Sequence, residues 1–138
     1  MRLNEKFFYP LSNILLLLAL TVAGCMPGTF KDIPPAEARE MIRAEGEGIL
    51  ILDVRTPQEY SREGHLKNAR LIPIDTLEAK VSEIAAYKEK TVIVYCAVGG
   101  RSKKGAGILS GKGFGKVYNM AGGIGEWKRL GFETEQSK

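Results

Sequence analysis

The chain has 138 residues, 20 basic against 16 acidic, with two cysteines and one histidine. That is the length of one domain, and 44% hydrophobic with 26% charged residues is a globular composition, not a disordered or collagen-like one. Two cysteines exclude a disulfide-dense scaffold and a four-thiolate zinc site, one histidine excludes a His-rich metal site, and a net charge of +4 alone does not argue for nucleic acid.

Residues 1–24 read as an address. Arg2 and Lys6 give a positive start, Ile14 to Leu20 run apolar without a break, and Ala23 and Gly24 are small. This is the order of a secretory signal: charged, apolar, then a small-residue cleavage site. The apolar run falls short of the roughly 20 residues that span a bilayer. A tilted transmembrane anchor that recruits Leu11 and Val22 is the alternative. Val22-Ala23-Gly24-Cys25 resembles the lipobox of bacterial lipoproteins, with Val22 in place of the commoner Leu. The resemblance implies cleavage before Cys25, lipidation of its sulfur and acylation of the new terminus. Met26 in the next position leaves the outer membrane as one address. Residues 25–29 would form a short lipidated tether spanning at most about 17 Å, so the protein is expected to be an exported, membrane-anchored lipoprotein facing the periplasm or the cell exterior.

The rest of the chain alternates strand and helix signals. Lys31 to Ile33 predicts an edge strand. Pro34 or Pro35 opens a helix to about Ala44 with Ala38, Met41 and Ile42 as its apolar stripe, and Glu45 to Gly48 make a turn. Ile49 to Val54 is an apolar run of the kind found in buried parallel strands. Thr56-Pro57-Gln58-Glu59 is a capping box with Pro at the first helical position, and Gly64 ends that short helix. Arg70 to Ile74 predicts a strand, and Leu77, Val81 and Ile84 mark the buried face of a helix over 75–87. Thr91 to Tyr95 is a second buried strand. A helix from Arg101 to about Lys112 follows despite Gly105 and Gly107, which permit close packing on the sheet. Val117 to Met120 is a last strand and Ile124 to Leu130 a last helix, its buried face formed by Ile124, Trp127 and Leu130. This alternation implies an α/β fold, a central parallel sheet with helices on both faces, over residues 30–132, with a tail at 133–138. Ligands in such folds bind at the carboxyl ends of the strands.

Cys96 stands at such an end. Cys96-Ala97-Val98-Gly99-Gly100-Arg101-Ser102 joins a buried strand to a helix. The two glycines let the backbone curl with its N–H groups inward, and the helix N-terminus adds partial positive charge. Both favour the thiolate, the reactive form. Arg101 adds a planar cation suited to an oxyanion, and Ser102 can cap the helix or donate a hydrogen bond. Between Glu89 and Glu126 there is no acidic residue, while Lys90, Arg101, Lys103, Lys104, Lys112 and Lys116 contribute +6. Residues 30–89 hold nine basic and twelve acidic residues. The positive field therefore gathers around Cys96; a basic face touching anionic lipid is the plainer reading of the same charges. Cys96 as a buried structural cysteine is the plain alternative, and a Cys25–Cys96 disulfide requires that Cys25 is not lipidated.

Leu52-Asp53-Val54-Arg55, Glu59-Tyr60, Gly64-His65-Leu66, Asn68-Ala69, Ile72-Pro73, Tyr95-Cys96, Gly99-Gly100-Arg101-Ser102, Gly122-Gly123-Ile124 and Trp127 occur in this order. Taken together they resemble a single-domain rhodanese, a sulfurtransferase. The resemblance implies the rhodanese-like three-layer fold. It also implies a cofactor-free, metal-free cycle in which Cys96 takes sulfur from a donor such as thiosulfate, a persulfide or a polysulfide. The sulfur is held as a covalent persulfide and passed to cyanide or a thiol, with the loop amides stabilising the anionic sulfur. Arg101 matches the family's loop arginine, expected to brace the loop or bind substrate. Four residues separate Cys96 from Arg101, one fewer than in the arginine loops of cysteine phosphatases, which fits sulfur better than a phosphoryl group. Ala97 and Val98 depart from the charged residue many thiosulfate-using relatives carry.

Other residues read as structural first. Asp53 and Arg55 end a buried strand, Arg55 pairing with Glu59 and Asp53 able to reach the active loop. His65 is a turn histidine, and Trp127 and Tyr95 are packing residues. The partners expected are a small sulfur-containing anion, a thiol or cyanide acceptor and the membrane through Cys25, with no nucleic acid and the chain a monomer. A non-catalytic rhodanese-type module that binds a partner or senses redox state is the second functional class.

Overall fold

The computed structural model describes residues 28–137. The signal segment and Cys25 lie outside the described residues. Among the described residues no helix is long and apolar enough to cross a membrane.

Five strands, β1 (Phe30–Ile33), β2 (Leu50–Asp53), β3 (Arg70–Leu71), β4 (Thr91–Tyr95) and β5 (Lys116–Met120), form one sheet in the order β1-β5-β4-β2-β3. All four pairings are parallel. The two apolar runs, β2 and β4, pair with each other and are buried along their whole length. Side chains alternate across a strand, so these runs feed two cores. Leu50, Leu52, Val92 and Val94 face one side, packed with Leu77, Ala106 and Leu109. Ile49, Ile51, Ile93 and Tyr95 face the other, with Ala38, Ile124 and Trp127. The helices divide accordingly: α3 (Ile74–Lys80) and α4 (Gly100–Gly111) cover one face, α1 (Pro35–Glu45) and α5 (Gly123–Arg129) the other. The three-layer arrangement expected from the sequence is the one observed.

Local signals match closely at α2 (Pro57–Glu63). The Thr56 hydroxyl accepts from the Glu59 amide while the Glu59 carboxylate accepts from the Thr56 amide, and Pro57 occupies the first turn. Three expectations are corrected. The strand at 70–74 is only two residues long, because Pro73 has no N–H to give the ladder and α3 begins at Ile74. The helix at 75–87 is α3 followed by a 3-10 segment, Val81–Tyr87; Leu77 and Ile84 remain buried in both pieces. Leu130 is 40% exposed, because α5 stops at Arg129 and the chain turns at Gly131, φ 76°. Phe132 packs edge-on against Trp127 instead, 5.1 Å between centroids.

The two glycines of α4 differ. A Cβ at Gly105 would meet Leu77, Val94 and Ile74 at 3.3–3.5 Å, so this glycine does let the helix approach the sheet. At Gly107 the nearest atom would be Phe30 at 3.8 Å, and the position is exposed. Gly107→Ala should therefore stabilise the protein by about 0.5–1 kcal/mol through helix propensity. Gly105→Ala should gain less or destabilise. Urea unfolding midpoints of the two variants check this; equal shifts would refute the packing role of Gly105.

Candidate active site

Cys96 follows β4, the central strand whose neighbours on both sides are paired. Its residue exposure is 1%. The Gly99 amide donates to Cys96 Sγ at 3.1 Å. Ser102 Oγ lies 3.4 Å from Sγ and 3.1 Å from the Gly99 carbonyl, and its single proton serves one of them at a time. Gly99 makes the turn at φ 111°, a conformation that costs an L side chain strain. Burial pushes the Cys96 thiol up, but hydrogen bonds from the Ser102 side chain and from the amides of Ser102, Gly99 and Val98 outweigh it, so its pKa is lowered. The N-terminus of the twelve-residue α4 adds its partial charge in the same direction.

The loop carbonyls are held from the other side. The Ile124 amide donates to the Cys96 carbonyl at 2.9 Å and the Gly125 amide to the Ala97 carbonyl at 3.0 Å. This approach needs Gly123, where a Cβ would lie 2.4 Å from the Cys96 oxygen and 2.5 Å from the Ala97 oxygen. The Gly122-Gly123-Ile124 motif is visible in the sequence, but its contact with the loop is a matter of tertiary structure.

Arg101 turns toward α2. Its two terminal nitrogens donate to the two Glu59 oxygens at 2.8 and 2.7 Å. The Glu59 carboxylate also accepts from the Thr56 amide and hydroxyl. The Arg101 fork holds Glu59 down to about 2 against the opposing effect of burial, with Thr56 helping. Glu59 in turn raises the Arg101 pKa. Arg101 thus braces the loop, and its guanidinium also faces the Cys96 sulfur, which raises its pKa further. Glu59 is a site residue that sequence reasoning missed: its capping box was legible, its second partner was not.

Arg55 does not pair with Glu59. It is fully buried with Asp53, its Nη2 2.7 Å from the Asp53 carboxylate and 2.7 Å from the Gly64 carbonyl, with Glu63 3.8 Å from Nη1. Asp53 is engaged by the Arg55 amide and guanidinium and makes no hydrogen bond to the loop. His65 is buried, bridges to Glu135, stacks on Tyr60 at 3.9 Å and lies 3.0 Å from the Leu66 carbonyl through Nδ1. The Tyr95 hydroxyl accepts from the Leu66 amide at 3.1 Å. These groups build the wall behind β4. The structure therefore brings Cys96, Gly99, Arg101 and Ser102 together with Glu59 and Gly123, and leaves Asp53, Arg55 and His65 in the framework. Ala97 is half-buried, and Val98 and Gly100 are exposed at the loop surface. Two clefts of about 390 Å³ lie elsewhere, one between α1 and α5, the other beside the start of β2, and neither is lined by Cys96.

The model of the rhodanese-like domain family matches residues 34–130. The chain belongs to that family. A protein named sulfurtransferase from Allochromatium vinosum is 36% identical over 88 residues, 64% of this chain and 79% of that protein. A tRNA uridine(34) hydroxylase from Cronobacter sakazakii is 37% identical over 84 residues, 58% of this chain but only 24% of the hydroxylase. Among solved structures, a rhodanese-related protein from Thermoplasma volcanium is 28% identical with a TM-score of 0.66, covering 78% of this chain and 99% of that one. A Rhodopseudomonas palustris protein of unknown function, described as a possible tyrosine phosphatase, is 25% identical with a TM-score of 0.69, covering 77% and 85%.

Two outcomes follow from this geometry. Ser102→Ala removes a hydrogen bond that favours the thiolate, so the pH midpoint of Cys96 alkylation by iodoacetamide should rise; an unchanged or lower midpoint would refute that role. Glu59 has a depressed pKa, so its contribution to stability is complete above its ordinary 4.5 and disappears as pH falls toward 2. Glu59→Gln should flatten the denaturation midpoint over that window.

Proposed function

We propose that the chain is a sulfurtransferase that carries a sulfane sulfur as a persulfide on Cys96. The observation that carries this reading is the turn of the loop amides and of Ser102 onto Cys96 Sγ, with the thiol pKa lowered despite burial. The relative named sulfurtransferase supports it.

With thiosulfate as donor, the Cys96 thiolate attacks the outer sulfur. The Cys96–S bond forms, the donor S–S bond breaks, and sulfite leaves with the electron pair. The amides of Val98, Gly99 and Ser102 then face the negative charge on the bound sulfur, as an oxyanion hole faces oxygen. Cyanide or a thiolate attacks that outer sulfur, and the Cys96 thiolate returns as leaving group. This is a ping-pong covalent cycle, and it needs neither metal nor cofactor. Arg101 and Glu59 act by holding the loop in shape.

Phosphoryl transfer fits less well. It calls for cations presented to the transferring group, whereas both terminal nitrogens of Arg101 are engaged by Glu59. Hydroxylation of tRNA belongs to proteins of which this chain matches about a quarter.

The test uses residues 26–138 incubated with thiosulfate or a polysulfide, then cyanide. The intact mass should rise by one sulfur and fall again as thiocyanate appears. Cys96→Ser should show neither change; the same gain and turnover in that variant would refute the role of Cys96, and no gain in the unaltered protein would favour a binding module. The lipoprotein reading of Cys25 is part of the same proposal and places the domain on a membrane. Cys25→Ser in the full chain should release the protein from the membrane fraction, whereas membrane retention of the 26–138 fragment would refute lipid anchoring.

A further inference from the structure

The cleft between α1 and α5 has a lining that the chemistry of Cys96 does not use. Its apolar part is Ile42 of α1, Ile51 of β2, Leu66, Trp127 of α5 and Phe132. The turn at Gly131 brings Phe132 back onto Trp127, which gives the cleft an aromatic wall. The Trp127 indole N–H, the one uncharged polar group among the lining side chains, donates to the Glu133 carbonyl at 2.9 Å and is thereby used up. The charged part of the lining is uneven: Arg39, Arg43 and Lys67 against one carboxylate, Glu133. Arg39 rests over the Phe132 ring, 4.5 Å from Cζ to the centroid. Among the described residues neither Arg39 nor Lys67 has an ion-pair partner. Arg43 has only Glu40, at 3.7 Å and with both side chains exposed. The second cleft shares Ile42, Ile51 and Lys67 with the first, so the apolar lining continues past them to Ile49.

An apolar recess with an excess of positive charge beside it is complementary to a molecule with an apolar body and an anionic head. A peptide suits it poorly. Each residue of a peptide brings an N–H and a C=O that lose water on burial, and no uncharged side chain of the cleft is free to receive them. An alkyl chain brings no such groups. The volume of about 390 Å³ lies in the range of small-ligand sites, and the continuation into the second cleft suits a linear body better than a compact one. We propose that this cleft is a binding site for a carboxylate of the fatty-acid type. Its alkyl chain lies on the apolar lining, and its carboxylate meets Arg39, Arg43 and Lys67. Binding is non-covalent. Cys96 lines neither cleft, so the proposal stands or falls independently of sulfur transfer.

Trp127 is the only tryptophan in the chain, so its fluorescence reports on this cleft. The test uses residues 26–138, which contain all five strands and both cores, titrated below micelle-forming concentrations. Decanoate should change the Trp127 emission saturably, and affinity should rise by up to about fourfold per added CH₂ from hexanoate to decanoate. Decyltrimethylammonium, of similar chain length with the opposite head charge, should bind about tenfold more weakly or worse. Arg43→Glu combined with Lys67→Glu should weaken decanoate by about tenfold or more and narrow the preference between the two heads. Both side chains are exposed, so circular dichroism should match the parent. Backbone amide shifts on adding decanoate should centre on Ile42, Lys67, Trp127 and Phe132. No saturable response, equal binding of the cationic amphiphile, an affinity unmoved by the double substitution, or shifts centred on the Cys96 loop would each overturn the proposal. A dimer in sedimentation that the double substitution dissociates, without decanoate binding, would overturn it in favour of a second copy of the chain.

Discussion

A loop can turn its N–H groups onto one atom only if its carbonyls are satisfied somewhere else. Here that condition is met by the start of α5, whose amides at Ile124 and Gly125 take the carbonyls of Cys96 and Ala97. Everything at the thiol depends on it. The amide turn at Gly99, the hydroxyl of Ser102 and the lowered thiol pKa all require the loop to be held from behind. Gly123 is the condition of that hold, since any side chain there would occupy the space of the two oxygens. The sheet supplies the rest: β4 lies between β5 and β2, so the loop springs from the most enclosed strand.

The second support is ionic and comes from the side. Glu59 accepts from the capping residue of its own helix and from the loop arginine at once. One carboxylate thus fixes the N-terminus of α2 and the first turn of α4. Such a pair is part-exposed, and its worth in stability is modest. Its larger effect is on the charge the site presents. An arginine that appears in the sequence as a free cation beside a thiol is, in the folded chain, already answered. The positive charge expected at Cys96 comes from the backbone dipoles and from a guanidinium that faces the sulfur while paired with Glu59.

The fold was legible where signals are local. The buried runs of β2 and β4, the Thr56–Glu59 capping box and the Gly64 stop depend on neighbours within a few residues, and they occur where the sequence places them. Cys96 and its glycines were legible for the same reason: the turn onto the sulfur closes within seven residues. What was not legible involved choice between distant partners. Arg55 turns back to Asp53 on its own strand instead of forward to Glu59, because Glu59 is taken by Arg101, 42 positions away. Leu130 loses its expected place to Phe132 because the chain turns at Gly131. The brevity of β3 follows from Pro73, which the sequence displays but whose effect on the ladder needs the pairing to β2.

The recessed position of Cys96 has a consequence for how two such molecules can meet. A disulfide requires sulfur atoms about 2.05 Å apart and Cα atoms within about 7 Å. A thiol at 1% exposure cannot approach its counterpart in a second copy that closely without opening the loop. A single donor sulfur needs far less room to reach the thiol than a second folded chain does. The same geometry therefore resists covalent self-pairing of two copies of the domain.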